Sequence, residues 1–311
     1  MSANVETMFY TREKPWHGLG TRVENAPLSA DALIMAGLNW NVVQQSVITE
    51  EGIALEGYKA NIRDTDNKVL GVVTDRYKVV QNTEAFAFTD ALLGEGVRYE
   101  TAGSLQEGKR VWLLAKLPQE YIITGERISP YLVFFNSHDG SGAIKAAITP
   151  IRVVCQNTLN LALNTAKRSW ATIHTGNMQN KLEEATQTLF LAERYMDELG
   201  KEIEGLQRVK LIDQKVSEYI DLLLPVQSDA SEQQKKNIIR LKDEVRARYY
   251  DAPDLRHVGK NAYRFINAVS DFATHAAPLR ETVNYKENLF LKTIEGNALI
   301  DRAYQMMKAI A

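Results

Sequence analysis

The chain carries one cysteine, Cys155, in 311 residues. Neither an intrachain disulfide nor a four-cysteine zinc cluster can form within it. Long apolar runs are scarce as well: stretches such as residues 111–115 and 222–226 fall far short of the ~20 residues that a membrane-spanning helix needs. Residues 1–14 contain acids and no apolar segment, so no secretory signal is expected and a cytoplasmic location is. No Gly/Ser linker or low-complexity tract interrupts the chain, and the two halves are expected to pack together. Catalytic templates are missing too. There is no phosphate-binding G-x-x-x-x-G-K-[ST], no G-x-G-x-x-G and no H-E-x-x-H. The five histidines (17, 138, 174, 257, 275) have no partner histidine three or four positions away, so no preassembled metal pair is visible.

One further absence is local. Between Asp139 and Glu183 there is no acid over 43 residues, where the average density of the chain would place about five. That window holds Lys145, Arg152, Lys167, Arg168, Lys181 and His174 among many Asn, Gln, Thr and Ser. It reads either as chance in a polar loop and helix or as a surface that tracks phosphates. The whole chain is near neutral, with a net charge of −2, which predicts no generic polyanion binder.

What is present is ordinary globular composition: 45% hydrophobic and 24% charged residues, at a length that suits two domains. Residues 41–49, 57–63 and 69–74 read as strands, with Asp64, Thr65, Asp66 and Asn67 at a turn between the last two. Asn82 is placed to cap a helix over residues 83–93, which Gly94 ends. Residues 97–105 and 110–117 form a predicted hairpin with Gly108 at its turn, and residues 131–136 and 143–149 a second one around Ser137-His138-Asp139-Gly140-Ser141-Gly142. Residues 152–167 follow as a helix. Beyond it the periodicity is helical throughout: residues 180–205, 210–224, 231–250, 260–275 and a last stretch to 310. The expected fold is α+β, an N-terminal antiparallel sheet of hairpins with helices followed by an all-helical C-terminal domain. Its expected parts are an arm and helix over residues 1–40, an α+β core over 41–170 and a helical domain over 178–311.

Several residues could carry chemistry. His138-Asp139-Gly140 places an imidazole and a carboxylate on one loop, although a turn favours Asp-Gly for backbone reasons alone. Cys155, beside Val153 and Val154 on the predicted helix, reads as a small buried apolar residue rather than a nucleophile. Trp16 in Pro15-Trp16-His17-Gly18-Leu19-Gly20 either docks the arm on the core or offers a flat face to a base. On the 152–168 helix Arg152, Gln156 and Asn160 recur at i, i+4 and i+8 and share a face with Lys167 close by. A face of amides and guanidinium without a carboxylate suits phosphates and base edges, or simply water. The candidate nucleic-acid-binding residues are therefore Lys145, Arg152, Gln156, Asn160, Lys167 and Arg168.

Four motifs in order, Pro15-Trp16-His17-Gly18-Leu19-Gly20, Ala36-Gly37-Leu38-Asn39-Trp40, Tyr77-Lys78-Val79-Val80-Gln81-Asn82 and Arg152-Val153-Val154-Cys155-Gln156-Asn157-Thr158-Leu159, together resemble the phage/plasmid-like proteins that carry the domain of unknown function 932. Asn267-Ala268-Val269 with Asp271 and His275 is similar to the C-terminal block of that family, while Ile173-His174-Thr175 departs from its Arg-His-Thr. The resemblance covers about residues 8–308. It implies a mobile-element setting and supplies no activity.

Two hairpins followed by a long, basic-faced helix also look similar to the β-β-β-α core of ring-forming recombination annealing proteins. The expected function is non-catalytic nucleic-acid binding, with single-stranded DNA the favoured partner and annealing in recombination or replication the favoured process. A homo-oligomer is expected, with no cofactor, no metal and no membrane. Two alternatives stay open: a metal-dependent hydrolase or nuclease using His138, Asp139 and His174, and an interaction protein acting on a host factor through the helical half.

Overall fold

The computed structural model describes residues 5–11, 20–94, 97–117, 121–123, 126–149, 169–189, 192–278 and 297–311. The fold is α+β, with strands up to Thr172 and helices beyond it among the described residues. Two compact units divide the chain, one drawing on Met1–Tyr121, Ser129–Thr149 and Asn164–Tyr195, the other on Ile122–Ile128, Pro150–Leu163 and Met196–Ala311. The first unit thus takes in strands from the N-terminal arm and reaches past the expected boundary at residue 170.

In the first unit the strands β1 (Val5–Thr11), β2 (Thr21–Val23), β6 (Arg98–Leu105), β7 (Arg110–Lys116), β10 (Tyr131–Ser137), β11 (Ile144–Thr149) and β12 (Ser169–Thr172) form one sheet in the order β12-β11-β10-β7-β6-β1-β2. Only β1–β2 is parallel. The two hairpins expected from the sequence, β6–β7 and β10–β11, lie side by side at its centre. The β7 run Val111-Trp112-Leu113-Leu114-Ala115 is buried on both faces. This explains why it shows no alternation although its neighbours are antiparallel. The β6–β7 turn puts Gln106, Glu107 and Gly108 all at positive φ, and the Lys68–Glu107 ion pair at 2.7 Å holds its tip.

A second sheet, β3 (Val42–Ile48), β4 (Ala54–Arg63) and β5 (Val69–Thr74), follows the expected strands closely. Buried Arg63 ties it to β1: its guanidinium donates to both oxygens of Glu6 at 2.9 Å and to Asp66. Such bidentate pairing suits arginine's planar fork. A short pair, β8 (Tyr121–Ile123) and β9 (Glu126–Ile128), makes a third sheet.

Helix α1 (Ser29–Met35) packs on β1 and β6, and α2 (Asn82–Leu93) on β7 and β10. Phe88 of α2 meets Phe134, and Phe86 meets Tyr99. Asn82 does not cap this helix, contrary to expectation. Gln81 holds the N-cap position, where Glu84 accepts from its N–H at 2.6 Å. The Gln81 side chain meanwhile pairs with both main-chain groups of Val42. Gly94 closes the helix at φ 86°.

Where one helix over 180–205 is expected, two are described, α3 (Met178–Leu189) and α4 (Ala192–Arg208). In the second unit α5 (Asp213–Leu223), α6 (Glu232–Asp251), α7 (Ala262–His275) and α8 (Ala298–Lys308) surround a core centred on α7. Ser231 caps α6 in a reciprocal box with Gln234, and Asn261 caps α7 through Arg264 N–H. Along α7, Tyr263, Phe265, Ile266, Ala268, Val269 and Phe272 are all buried.

Candidate functional site

Three segments far apart in sequence meet in the first unit: residues 77–82 between β5 and α2, the β10–β11 hairpin at 137–142, and residues 173–175 after β12. Main-chain and side-chain hydrogen bonds knit them. Tyr77 Oη donates to the Ser137 carbonyl at 2.5 Å, and Asn136 Nδ2 to the Val80 carbonyl at 2.9 Å. Asn61 of β4 donates to the His138 carbonyl at 2.7 Å. Gly71 of β5 lets this hairpin come close, since a Cβ there would stand 2.7 Å from the Asp139 Cα. No other residue type fits without moving backbone.

His138 lies at the centre and is fully buried. The Asn82 amide donates to the Leu38 carbonyl at 3.0 Å, so its Oδ1 is the acceptor facing His138 Nε2 at 3.1 Å. The ring proton therefore belongs on Nε2, leaving Nδ1 as a bare acceptor, and Nδ1 has no partner. Trp40 turns its ring against the imidazole, with centroids 5.3 Å apart. Burial pushes the His138 pKa down to about 3; charge on His174 would act in the same direction, and Asp139 opposes it.

His174 repeats the pattern. Its Nδ1 stands 2.9 Å from the Lys78 carbonyl, which can only accept, so the proton is on Nδ1. Its own carbonyl accepts from Lys78 N–H at 2.7 Å. The one residue thus grips both main-chain groups of Lys78, while its ring stacks on Tyr77 with centroids 4.4 Å apart. Nε2 is buried and without a partner. Burial first, then the charge of Lys181, lowers the pKa of His174; the Lys78 carbonyl and Asp139 work the other way.

Asp139 is engaged within its own turn. Its Oδ1 accepts from Ser137 Oγ at 2.6 Å and from Ser141 N–H and Oγ at 2.9 and 2.6 Å. Burial works to raise its pKa, but these bonds and the charge of Arg110 hold it below the usual carboxylate range. Among the described residues no three His, Cys, Asp or Glu side chains gather to hold a metal ion. The site offers two buried imidazoles with one bare nitrogen each, and a carboxylate with one oxygen bonded within its turn.

Residues 69–292 match the family described as Domain of unknown function (DUF932). The chain belongs to the DUF932 family. No curated protein and no solved structure gives a match. The DUF932 match takes in Tyr77, Lys78, Asn82, His138, Asp139 and His174, whereas Trp40 precedes it.

Of the six residues proposed from the sequence, only Lys145 is described. It pairs in register with Phe135 and Ala171, half-buried between buried Ile144 and Ala146. Its place in that alternation puts it on the sheet face opposite Phe134 and α2. Arg152, Gln156, Asn160, Lys167 and Arg168, with Cys155 and Trp16, lie outside the described residues. Sequence reasoning singled out His138 and His174 only as metal or phosphate groups and missed Asn82, Tyr77 and Asn61 as their partners. The one available signal was Tyr77-Lys78-Val79-Val80-Gln81-Asn82, a motif whose polar residues face three different elements.

Proposed function

We propose that this DUF932 protein binds nucleic acid without a catalytic step, single-stranded DNA first, in a phage or plasmid process such as annealing. The reading rests on one juxtaposition. The acid-free stretch contributes its 173–177 loop and the start of α3, and His174 fastens that loop to Lys78. Lys78, exposed, thereby joins Lys181, whose charge, like that of Asp139, is felt at His174 and whose Nζ donates to the Ile173 carbonyl at 3.1 Å. Neighbouring cations with few acids suit consecutive phosphates. Asp75 is the one acid in residues 75–82.

Lys145, Arg152, Gln156, Asn160, Lys167 and Arg168 belong to the same proposal from the sequence side, as does assembly into a homo-oligomer. Asp139 Oδ1 is bonded to Ser137 and Ser141, which adds nothing in favour of the hydrolase alternative.

Fluorescence anisotropy with a labelled single-stranded oligonucleotide over a salt series tests the reading. The double variant Lys78→Ala, Lys181→Ala is expected to flatten the log-log salt dependence by up to about two, roughly one per lost phosphate contact. A wild-type protein that fails to bind at low salt, or a double variant with the wild-type slope, overturns it.

A further inference from the structure

Two of the described buried side-chain nitrogens that lack a partner belong to the two histidines of this one cluster. A buried acceptor without a donor is costly, so each such group calls for an explanation. For an imidazole the simplest response is to take a proton.

We propose that His174 is a pH-operated latch: uncharged, it fastens residues 173–177 to the Tyr77–Lys78 main chain, and on protonation it lets them go. The geometry carries this. The loop is held to Lys78 by a reciprocal pair through a single residue, carbonyl to N–H and ring N–H to carbonyl. Lys181 Nζ also donates to the Ile173 carbonyl, Thr175 N–H closes a turn on Ile173, and Asn177 joins the start of α3 through the Asn180 and Lys181 N–H groups. Protonation leaves the Nδ1 bond intact but creates an Nε2–H with no acceptor among the described residues, in a ring that is stacked on Tyr77 and almost wholly buried.

The groups facing that ring offset the cost of burying the charge only in part. Lys181 of α3 opposes it, as would a charge on His138. Asp139 on the hairpin favours it, but its Oδ1 is already bonded to Ser137 and Ser141. The Tyr77 face and the Lys78 carbonyl favour the charge as well, but burial of the ring outweighs them. A released loop would instead solvate the imidazolium in water. His138, fully buried and held neutral down to about pH 3, stays out of the transition at milder acidity, so the latch belongs to His174.

The sign follows from linkage. The latched state holds its proton less well than a free imidazole of pKa about 6.5, so latching is at full strength above that pH and weakens as pH falls below it. The proposal is independent of nucleic-acid binding.

Hydrogen exchange on the full chain between about pH 7.5 and about pH 4.5, corrected for intrinsic rates, is the test. Protection at the Lys78 amide and through residues 173–177 is expected to fall about tenfold or more, while α2 keeps its protection. In His174→Gln, which keeps an amide donor and never charges, the fall is expected to vanish. Unchanged protection in the wild type, or an equal fall in the variant, overturns the latch. Should the variant not fold, the ring of His174 in the wild type is titrated by NMR: a pKa at or above about 6.5 overturns the proposal.

Discussion

Two buried polar sites, one in each unit, are built in opposite ways. In the second, Arg264 is buried on α7 and fully spoken for: Nε donates to the Tyr249 carbonyl at 2.6 Å, Nη1 to Val258 at 2.8 Å and Nη2 to Tyr250 at 3.1 Å. Two of those carbonyls belong to the last turn of α6, where a cation also complements the helix dipole. In the first unit His138 and His174 are buried just as deeply and each has a partner on one nitrogen only. A permanent cation with every nitrogen bonded makes a fixed joint. A neutral imidazole with a bare nitrogen makes a joint whose strength depends on pH. Buried polarity alone therefore says little about role; the count of unanswered donors and acceptors separates the two.

Four measurements would break or sharpen this contrast. The largest effect is expected at the fixed joint: Arg264→Met should lose about 3 kcal/mol in urea unfolding, because three carbonyls forfeit their donor at once. A loss under about 1 kcal/mol would mean that the joint is ornamental. Next, Gly71→Ala should cost about 2 kcal/mol by forcing the hairpin backbone off β5, and it should disturb the His138 environment before it disturbs α7.

Third comes acidification. Both histidines have lowered pKa values in the folded state, so the unfolded chain binds more protons below about pH 6.5. Each group is then expected to withdraw up to about 1.4 kcal/mol per pH unit as pH falls towards its folded value. Unfolding followed at Trp40, which touches His138, should show this slope, and exchange protection across α7 should not. Equal slopes in both units would erase the contrast. The smallest effect on stability, under about 0.5 kcal/mol, is expected for Arg152→Ala with Lys167→Ala if those charges are exposed. The same pair should flatten the salt dependence of oligonucleotide binding by up to about two, which anisotropy and a parallel melt check together.

Much of the architecture was legible in advance. The β3–β5 sheet, both central hairpins and the helices α2, α6 and α7 stand within a few residues of their expected bounds, because turn residues and regular apolar spacing are local signals. The sheet strands β1, β2 and β12 were not legible. They are short or lie at one side of the sheet, and their apolar content shows no clean alternation. Asn82 shows why a local rule fails: its residue type and place suit an N-cap, but its amide is worth more between Leu38 and His138, and Gln81 takes the cap position instead.

By itself the sequence determined the α+β order, the absence of a disulfide or a catalytic template, and an acid-free window that no folding can alter. Periodicity, turn chemistry and charge are properties of neighbours along the chain, so they survive without a fold. Which nitrogen of His138 or His174 holds its proton, and that Tyr77, Asn82 and Asp139 surround them, was decided only in three dimensions. The Asn82–His138 and Lys78–His174 contacts join residues 56 and 96 positions apart, and the basicity of a buried imidazole depends on how much water the whole unit excludes.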